Sequence, residues 1–354
     1  MAIKLRQEIL GKARRIVVKL GTGLLTDEQN HLALGQIEQI VTQIAALCQE
    51  KRQVIVVSSG AIGAGMAELG LKQRPKKLDE LQAAAAIGQS KLMAIYDRLF
   101  AKFGITVAQV LLTHDDLKDR ARHLNAHNTL MTLVERNVIP IINENDTVSV
   151  DEIKFGDNDQ LGALTATLFD ADLLVILSHV EGFLKDGVPV AAIADITGEI
   201  EQLAGGTDRV TSVGGMKSKI EAAKIVARAG IPMVIANGER EDVLMDLLAG
   251  EDIGTIFLPR NAKLASRKRW IAFFQRPVGT IVIDDGAVRA VRDNAKSLLA
   301  KGVTATEGRF EKGEVVSIRD KNQVEFARGL AKVSSIELKA TSGVVVHRDD
   351  LVVL

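Results

Sequence analysis

The sequence predicts an α/β protein of two domains: a mostly parallel sheet covered by helices on both faces, followed by a smaller β-rich module. Six apolar runs, at 14–19, 53–58, 105–112, 138–142, 172–178 and 231–236, alternate with segments of helical period. The runs are continuously apolar, as in Val54-Ile55-Val56-Val57, the mark of strands buried on two faces rather than one. Near Leu258-Pro259 this rhythm stops and the texture changes.

Each element follows from local pattern. The first strand runs into Lys19-Leu20-Gly21-Thr22-Gly23, whose glycines allow a turn with main-chain N–H groups free to close on an anion. A helix is predicted over 32–51. The strand at 53–58 passes into Ser58-Ser59-Gly60-Ala61-Ile62-Gly63-Ala64-Gly65, which opens a further helix. Helices over 78–103, 120–136 and 159–170 supply the rest of the cover. The strand at 138–142 leads into Asn143-Glu144-Asn145-Asp146, and the helix at 159–170 is preceded by Gly156-Asp157-Asn158-Asp159. Gly214-Gly215-Met216-Lys217-Ser218-Lys219 stands at the start of a helical pattern over 220–229. We expect a domain over 1–259, a basic connector over 260–276 that carries the single tryptophan, and a β-rich domain over 277–354. Its strands are expected at 279–283, 313–318, 324–330 and 344–346.

With 354 residues and 47% hydrophobic content, the chain can bury a large core, and disorder is not expected. The single cysteine, Cys48, excludes an intramolecular disulfide and suits a reducing compartment. No stretch reads as a membrane span and the first fifteen residues lack a signal-peptide core, so cytoplasmic residence is the default. Formal charge is zero but uneven. Residues 1–259 hold 27 basic and 34 acidic side chains, whereas 260–276 hold six basic and none acidic. An acidic body argues against nucleic acid as its principal partner.

The chemistry-bearing residues are two glycine-flanked lysines, Lys19 and Lys219, and the two acidic, amide-rich turns between them. A lysine at a strand end and another at a helix start both suit phosphate, the second because free N–H groups and the helix dipole favour negative charge. Cations, carboxylates and amides together point to magnesium-assisted phosphoryl transfer. The longer glycine-spaced loop of a P-loop is absent. Ser59 and its glycines could hold an anionic substrate, but a glycine turn needed only for packing would look the same. One Asx-rich turn would read as ordinary caps; two in neighbouring strand-to-helix connections favour a site. No general base is needed if the acceptor is a carboxylate, already ionised at neutral pH. His123 and His127 have the i, i+4 spacing of a metal pair but no third ligand nearby, so they read as packing or solvated side chains and no metal site is expected. Lys217 reads as a solvated neighbour of Lys219.

On Val18-Lys19-Leu20-Gly21-Thr22-Gly23, the 58–65 and 214–219 segments, Ile141-Ile142-Asn143-Glu144-Asn145-Asp146 and Gly156-Asp157-Asn158-Asp159, the chain resembles the amino acid kinase family over its first domain. Within it, the chain is similar to the members that phosphorylate glutamate. Residues 277–354 resemble a PUA domain, a small β-barrel. The resemblance implies an αβα sandwich in which ATP, accompanied by Mg2+, phosphorylates the γ-carboxylate of L-glutamate to γ-glutamyl phosphate, the first step of proline synthesis. It implies that Lys19 and Lys219 neutralise the transferring group, that Asp159 holds both lysines, and that Ser59, Asp146 and Asn158 contact glutamate, supported by Asn143 and Asp157. Nucleotide contacts are implied for Lys19, Ser178, His179, Val213, Gly214, Gly215, Met216, Lys217, Ser218 and Lys219. A homo-oligomer and feedback by proline belong to the same expectation; RNA binding by the PUA-like domain is left open.

The chain departs from the family pattern at His179, where Asp is usual, and at His123 and His127, which replace an aromatic residue and an arginine. The stretch between Gly182 and Gly214 looks short, and the final domain ends abruptly around 336–346. Rival readings are another amino acid kinase acting on acetylglutamate, aspartate or a nucleotide monophosphate, an RNA-binding protein with an inactive kinase body, and a dinucleotide-dependent oxidoreductase. The PUA-like tail, the intact lysines and the misordered glycines weigh against these in turn.

Overall fold

A computed structural model of the chain describes residues 2–27, 31–148, 158–205, 215–259 and 266–354. Contacts divide it into two units, 1–263 and 264–354. The first is built on an eight-stranded sheet: β1 (Arg15–Leu20), β2 (Gln53–Val57), β3 (Val107–Leu112), β4 (Ile139–Glu144), β5 (Leu173–Ser178), β8 (Ala192–Ile193), β9 (Met233–Asn237) and β10 (Thr255–Phe257), with β6 (Leu184–Lys185) and β7 (Val188–Pro189) forming a separate hairpin. The order is β3-β4-β2-β1-β5-β9-β10-β8. Every pairing is parallel except β9 with β10.

The order places a topological switch at β1. From there the chain steps to β2 on one side, and β5 returns on the other, so the carboxyl ends of β1, β2, β4 and β5 face one crevice. β1 is buried from Ile16 onward and β5 along its whole length, as their unbroken apolar runs require. Asp172 fixes where β1 begins, accepting from the backbone N–H groups of Arg14 and Arg15 at 3.0 and 2.9 Å.

Alternation along β1 sorts its side chains between two helical layers. Ile16, Val18 and Leu20 join the core with residues of helices Leu34–Gln49, Leu78–Ala101 and Val243–Ala249. Lys19 therefore points to the opposite face, where helix Asn158–Phe169 lies. Gly162 of that helix sits against the lysine stem: a Cβ there would be 3.3 Å from Lys19 Cβ and Cγ.

Gly60 and Gly65 of the 58–65 segment have different jobs. Gly60 adopts φ +88°, a left-handed N-cap for helix Ala61–Glu68. Gly65 and Gly88 are contact points, since a Cβ on either would fall 1.8 Å from a backbone oxygen, of Ala84 and of Ala61 respectively. Helices Ala61–Glu68 and Leu78–Ala101 are thereby packed backbone to backbone.

The second unit holds a six-stranded mixed sheet. Gly279–Ile283 runs parallel to Val315–Arg319 and antiparallel to the edge strand Val303–Glu307. Glu325–Ala331 and Val344–Val353 extend the other side to Leu298–Leu299. Helix Asp285–Arg292, capped by Asp284 through Ala287 N–H at 2.7 Å, and the edge strand Val303–Glu307 were not anticipated from sequence, because neither has a continuous apolar run. Ile281, Val291, Phe310, Val316, Phe326 and Val345 belong to its core. The stretch expected as a connector, 260–276, lies partly outside the described residues. From Ser266 it packs onto this sheet, Ile271 and Ala272 clustering with Val315, Leu330 and Val352 and Phe273 packing against them, which places it in the second unit.

Candidate active site

The site forms where strands end and helices begin. Lys19, the fifth residue of β1, is hydrogen-bonded in register with Val57 of β2 and Ile176 of β5, so it lies inside the strand rather than in the turn beyond. Gly21 N–H donates to Leu177 O at 3.0 Å, drawing the turn after β1 against the end of β5. A short helix, Thr22–Leu25, follows.

Helix Asn158–Phe169 presents Asp159 in its first turn, and helix Met216–Arg228 presents Ser218 and Lys219 in its own. The two lysines, 200 positions apart in sequence, meet on one carboxylate. Lys19 Nζ lies 2.6 Å from Asp159 Oδ1, and Lys219 Nζ lies 3.0 Å from Oδ2. The Ser218 hydroxyl donates to the same Oδ2 at 2.7 Å. Burial pushes the Asp159 carboxyl up, but the charges of Lys19 and Lys219 outweigh it, and with hydrogen bonds from Lys19 and Ser218 they bring the group down to about 2. All three charged side chains are buried. Two cations on one carboxylate leave this cluster with a net positive charge, reinforced by the N-terminal N–H groups of both helices.

Beside this cluster lies an amide network. Asn158 Nδ2 donates toward Ser58 O at 2.8 Å, Ser59 Oγ at 2.9 Å and Asn143 Oδ1 at 3.1 Å. Asn143, at the end of β4, donates from Nδ2 to Gln89 Oε1 at 2.8 Å, while its Oδ1 accepts from Glu144 N–H at 2.9 Å. Ser58 is fully buried and shares a 2.9 Å hydrogen bond with the hydroxyl of Tyr96. Asp146 stands in the turn beyond β4, and its charge acts on Arg74.

Of the residues singled out in the sequence, Lys19, Lys219, Asp159 and Ser218 are brought together, and Ser59, Asn158 and Asn143 form the adjoining network. Ser178 is buried at the end of β5 and His179 is exposed just past it. Gly215, Met216 and Lys217 begin the helix that carries Lys219, with Lys217 exposed. Asp157, Val213 and Gly214 lie outside the described residues. His123 and His127 turn ring nitrogens to the backbone carbonyls of Leu117 and Leu168, at 3.3 and 2.8 Å. Sequence reasoning missed Gln89, Tyr96 and Arg74. A glutamine in the otherwise apolar Ala83-Ala84-Ala85-Ala86-Ile87-Gly88 context was the one available signal.

Asp159 Oδ1 faces Lys19 and Oδ2 faces Lys219 and Ser218. Among the described residues no three His, Cys, Asp or Glu side chains gather as a metal site. No helix of the described residues is long and apolar enough to cross a membrane.

The model of the Amino acid kinase family matches residues 14–237, and that of the PUA domain matches residues 279–349. Curated relatives align along nearly the whole length. The glutamate 5-kinase of Pelobacter propionicus is 46% identical over 99% of this chain and 100% of its own. That of Moorella thermoacetica is 46% identical over 98% and 97%, and that of Methylibium petroleiphilum 49% over 94% and 91%. The UMP kinase of Bacillus anthracis superposes with a TM-score of 0.47 at 16% identity, covering 71% of this chain and 98% of that one, too distant to carry a functional argument.

Proposed function

The chain belongs to the amino acid kinase family, and we propose on that footing that it transfers the γ-phosphoryl group of ATP to the side-chain carboxylate of L-glutamate. The observation that carries this reading is the buried Lys19–Asp159–Lys219 cluster at the carboxyl edge of the sheet, in a chain similar to glutamate 5-kinases over its whole length. A carboxylate oxygen attacks the γ-phosphorus, a new O–P bond forms, and the bond to the β-phosphate oxygen breaks with ADP leaving. The product is γ-glutamyl phosphate, the activated acid from which proline synthesis begins.

The acceptor is anionic at neutral pH, so no proton has to be removed before attack. The obstacle is repulsion between two anions, and fixed positive charge offsets it. Lys19 and Lys219 supply that charge, preorganised because Asp159 holds both ammonium groups and burial shields them from water. Opposite charges about 4 Å apart interact by roughly 4 kcal/mol at an effective dielectric near 20, before desolvation. Ser59 and Asn158 bind glutamate, with Asn143 in support and Asp146 near the substrate amino group. Ser178, His179 and the segment leading into helix Met216–Arg228 contact the nucleotide. Mg2+ entering with ATP would supply further neutralisation of phosphate charge beside that of Lys19 and Lys219.

Coupled ADP release, measured with Mg2+ and ATP across L-glutamate, L-aspartate, N-acetyl-L-glutamate and UMP, tests the reading. Hydroxylamine trapping of an acyl phosphate provides a second readout. Turnover confined to L-glutamate, with a trapped γ-hydroxamate, is the expected result. Preference for any other acceptor overturns it.

A further inference from the structure

We propose that Gln89 is a positioning residue that locks the hydrogen-bond polarity imposed on the substrate pocket by two backbone groups, so that Ser59 presents a donor and Asn158 an acceptor to an amino acid. The inference rests on the glutamate-kinase reading and deepens it by saying how the α-ammonium and a carboxylate are told apart.

Two backbone groups fix the polarity at either end of the network, because a carbonyl can only accept and an N–H can only donate. Ser58 O faces Asn158 at 2.8 Å, so the Asn158 atom there is Nδ2. Glu144 N–H faces Asn143 at 2.9 Å, so the Asn143 atom there is Oδ1. Asn143 Nδ2 then points at Gln89, and Gln89 must answer with Oε1, as it does at 2.8 Å. Rotating any one of the three amides by half a turn sets donor against donor or acceptor against acceptor.

The cost of this arrangement falls on Gln89. The residue is 9% exposed, and its Nε2 is buried with no hydrogen-bond partner among the described residues. A buried amide donor left unpaired is unfavourable, and native structures seldom keep one without a reason. Here the reason is the lock on Asn143. Gln89 cannot easily move away, because its neighbour Gly88 is packed against Ala61 at the start of the helix that follows Ser59 and Gly60.

The consequence reaches the substrate. Asn158 Nδ2 is committed to Ser58, Ser59 and Asn143, and no described contact uses Asn158 Oδ1. Asn158 therefore has an acceptor to offer, suited to an ammonium. Ser59 Oγ accepts from Asn158, which leaves its proton for donation to a carboxylate oxygen. Glutarate, which lacks the α-ammonium, loses the first of these contacts. A site built to pair a polar group discriminates against an analogue that lacks it.

The test compares full-length wild type with Gln89→Met, which keeps side-chain length without an acceptor, and Gln89→Glu, which keeps an acceptor oxygen. Gln89→Met should raise KM for L-glutamate about tenfold, the worth of one hydrogen bond, while KM for ATP stays unchanged and kcat changes less. Its preference for L-glutamate over glutarate should narrow. Gln89→Glu should restore both properties to within about threefold of wild type. An unaltered KM and unaltered glutarate discrimination in Gln89→Met overturn the proposal, as does a Gln89→Glu variant equally impaired. If Gln89→Met does not fold, Gln89→Ala takes its place; failure of both to fold while Gln89→Glu folds assigns the residue to stability and also overturns it. Wild type without glutamate-dependent turnover defeats the functional reading itself, whereas active wild type with an indifferent Gln89→Met defeats this inference alone.

Discussion

Two carboxylates in this chain each hold two cations, and their surroundings differ. Asp159 is 1% exposed and is gripped by Lys19 and Lys219, themselves only 7% and 9% exposed. Asp350, in the second unit, is 5% exposed and lies 2.5 Å from Arg267 and 3.0 Å from Lys332, which are 50% and 45% exposed. The bare ion-pair count is the same. At Asp350 water screens both cations, so the pairs pin helix Ser266–Arg269 and strand Glu325–Ala331's flank to the last strand at modest gain. At Asp159 the cations have left water, and one carboxylate balances only one of the two charges, so a further anion is favoured there. Buried cations, rather than paired ones, mark the site.

The largest effect that can break this contrast is on turnover. Lys19→Ala and Lys219→Ala should each lower the maximal rate by about 100-fold to 1,000-fold, the usual loss for one preorganised donor, with glutamate binding changing less. Lys332→Ala and Lys217→Ala should leave the rate nearly unaltered. Near-normal turnover in a folded Lys19→Ala or Lys219→Ala variant removes the mechanistic half of the comparison.

Stability sharpens it next. Asp159→Asn leaves two buried ammonium groups without their counterion and should cost about 3–5 kcal/mol in urea denaturation, along with most activity. Asp350→Asn, with solvated cations, should cost about 1 kcal/mol or less. Equal losses at the two positions would mean that burial of the cations does not distinguish them.

Acid titration gives a smaller, signed effect. The native Asp159 carboxyl titrates at about 2 against an ordinary 3.8, so the unfolded chain takes up this proton first as pH falls. The stabilisation is fully present above about pH 4 and is lost as pH falls toward 2, amounting to about 2 kcal/mol. Denaturation midpoints between pH 5 and pH 2 should fall more steeply in wild type than in Asp159→Asn. Parallel slopes would show that the two lysines do not hold this carboxyl down.

The smallest effect concerns the second unit as a whole. Every described residue of the candidate site lies before position 260, so a chain ending at Pro259 should retain glutamate-dependent ADP release. A folded but inactive shortened chain would tie the chemistry to the domain that carries Asp350.

Much of the site was legible because its chemistry is written in local pattern. Lys19 after an apolar run and Lys219 at a helix start could be read from flanking glycines, and Asn143, Asn158 and Asp159 from turns rich in amides and carboxylates. Of the packing and binding readings of the 58–65 segment, Gly65 is a packing contact and Ser59 hydrogen-bonds to Asn158, which leaves Ser59's part in binding to the proposal above. Gln89 and Tyr96 escaped because each sits mid-helix, where one polar residue among apolar neighbours has no periodic signature.

The sequence by itself determined the alternation of strands and helices, the near-boundaries of β1, β2, β4 and β5, the β-rich texture after residue 276 and the residue types available for phosphoryl transfer. These depend on apolar period and on turn chemistry, both of which act over a few residues. Only the tertiary structure decided that β1 lies between β2 and β5, that Lys19 faces helix Asn158–Phe169, and that lysines 200 positions apart share the two oxygens of Asp159. Strand order and the meeting of distant side chains are set by which apolar faces cover one another across the sheet, and that choice is made by the whole core at once.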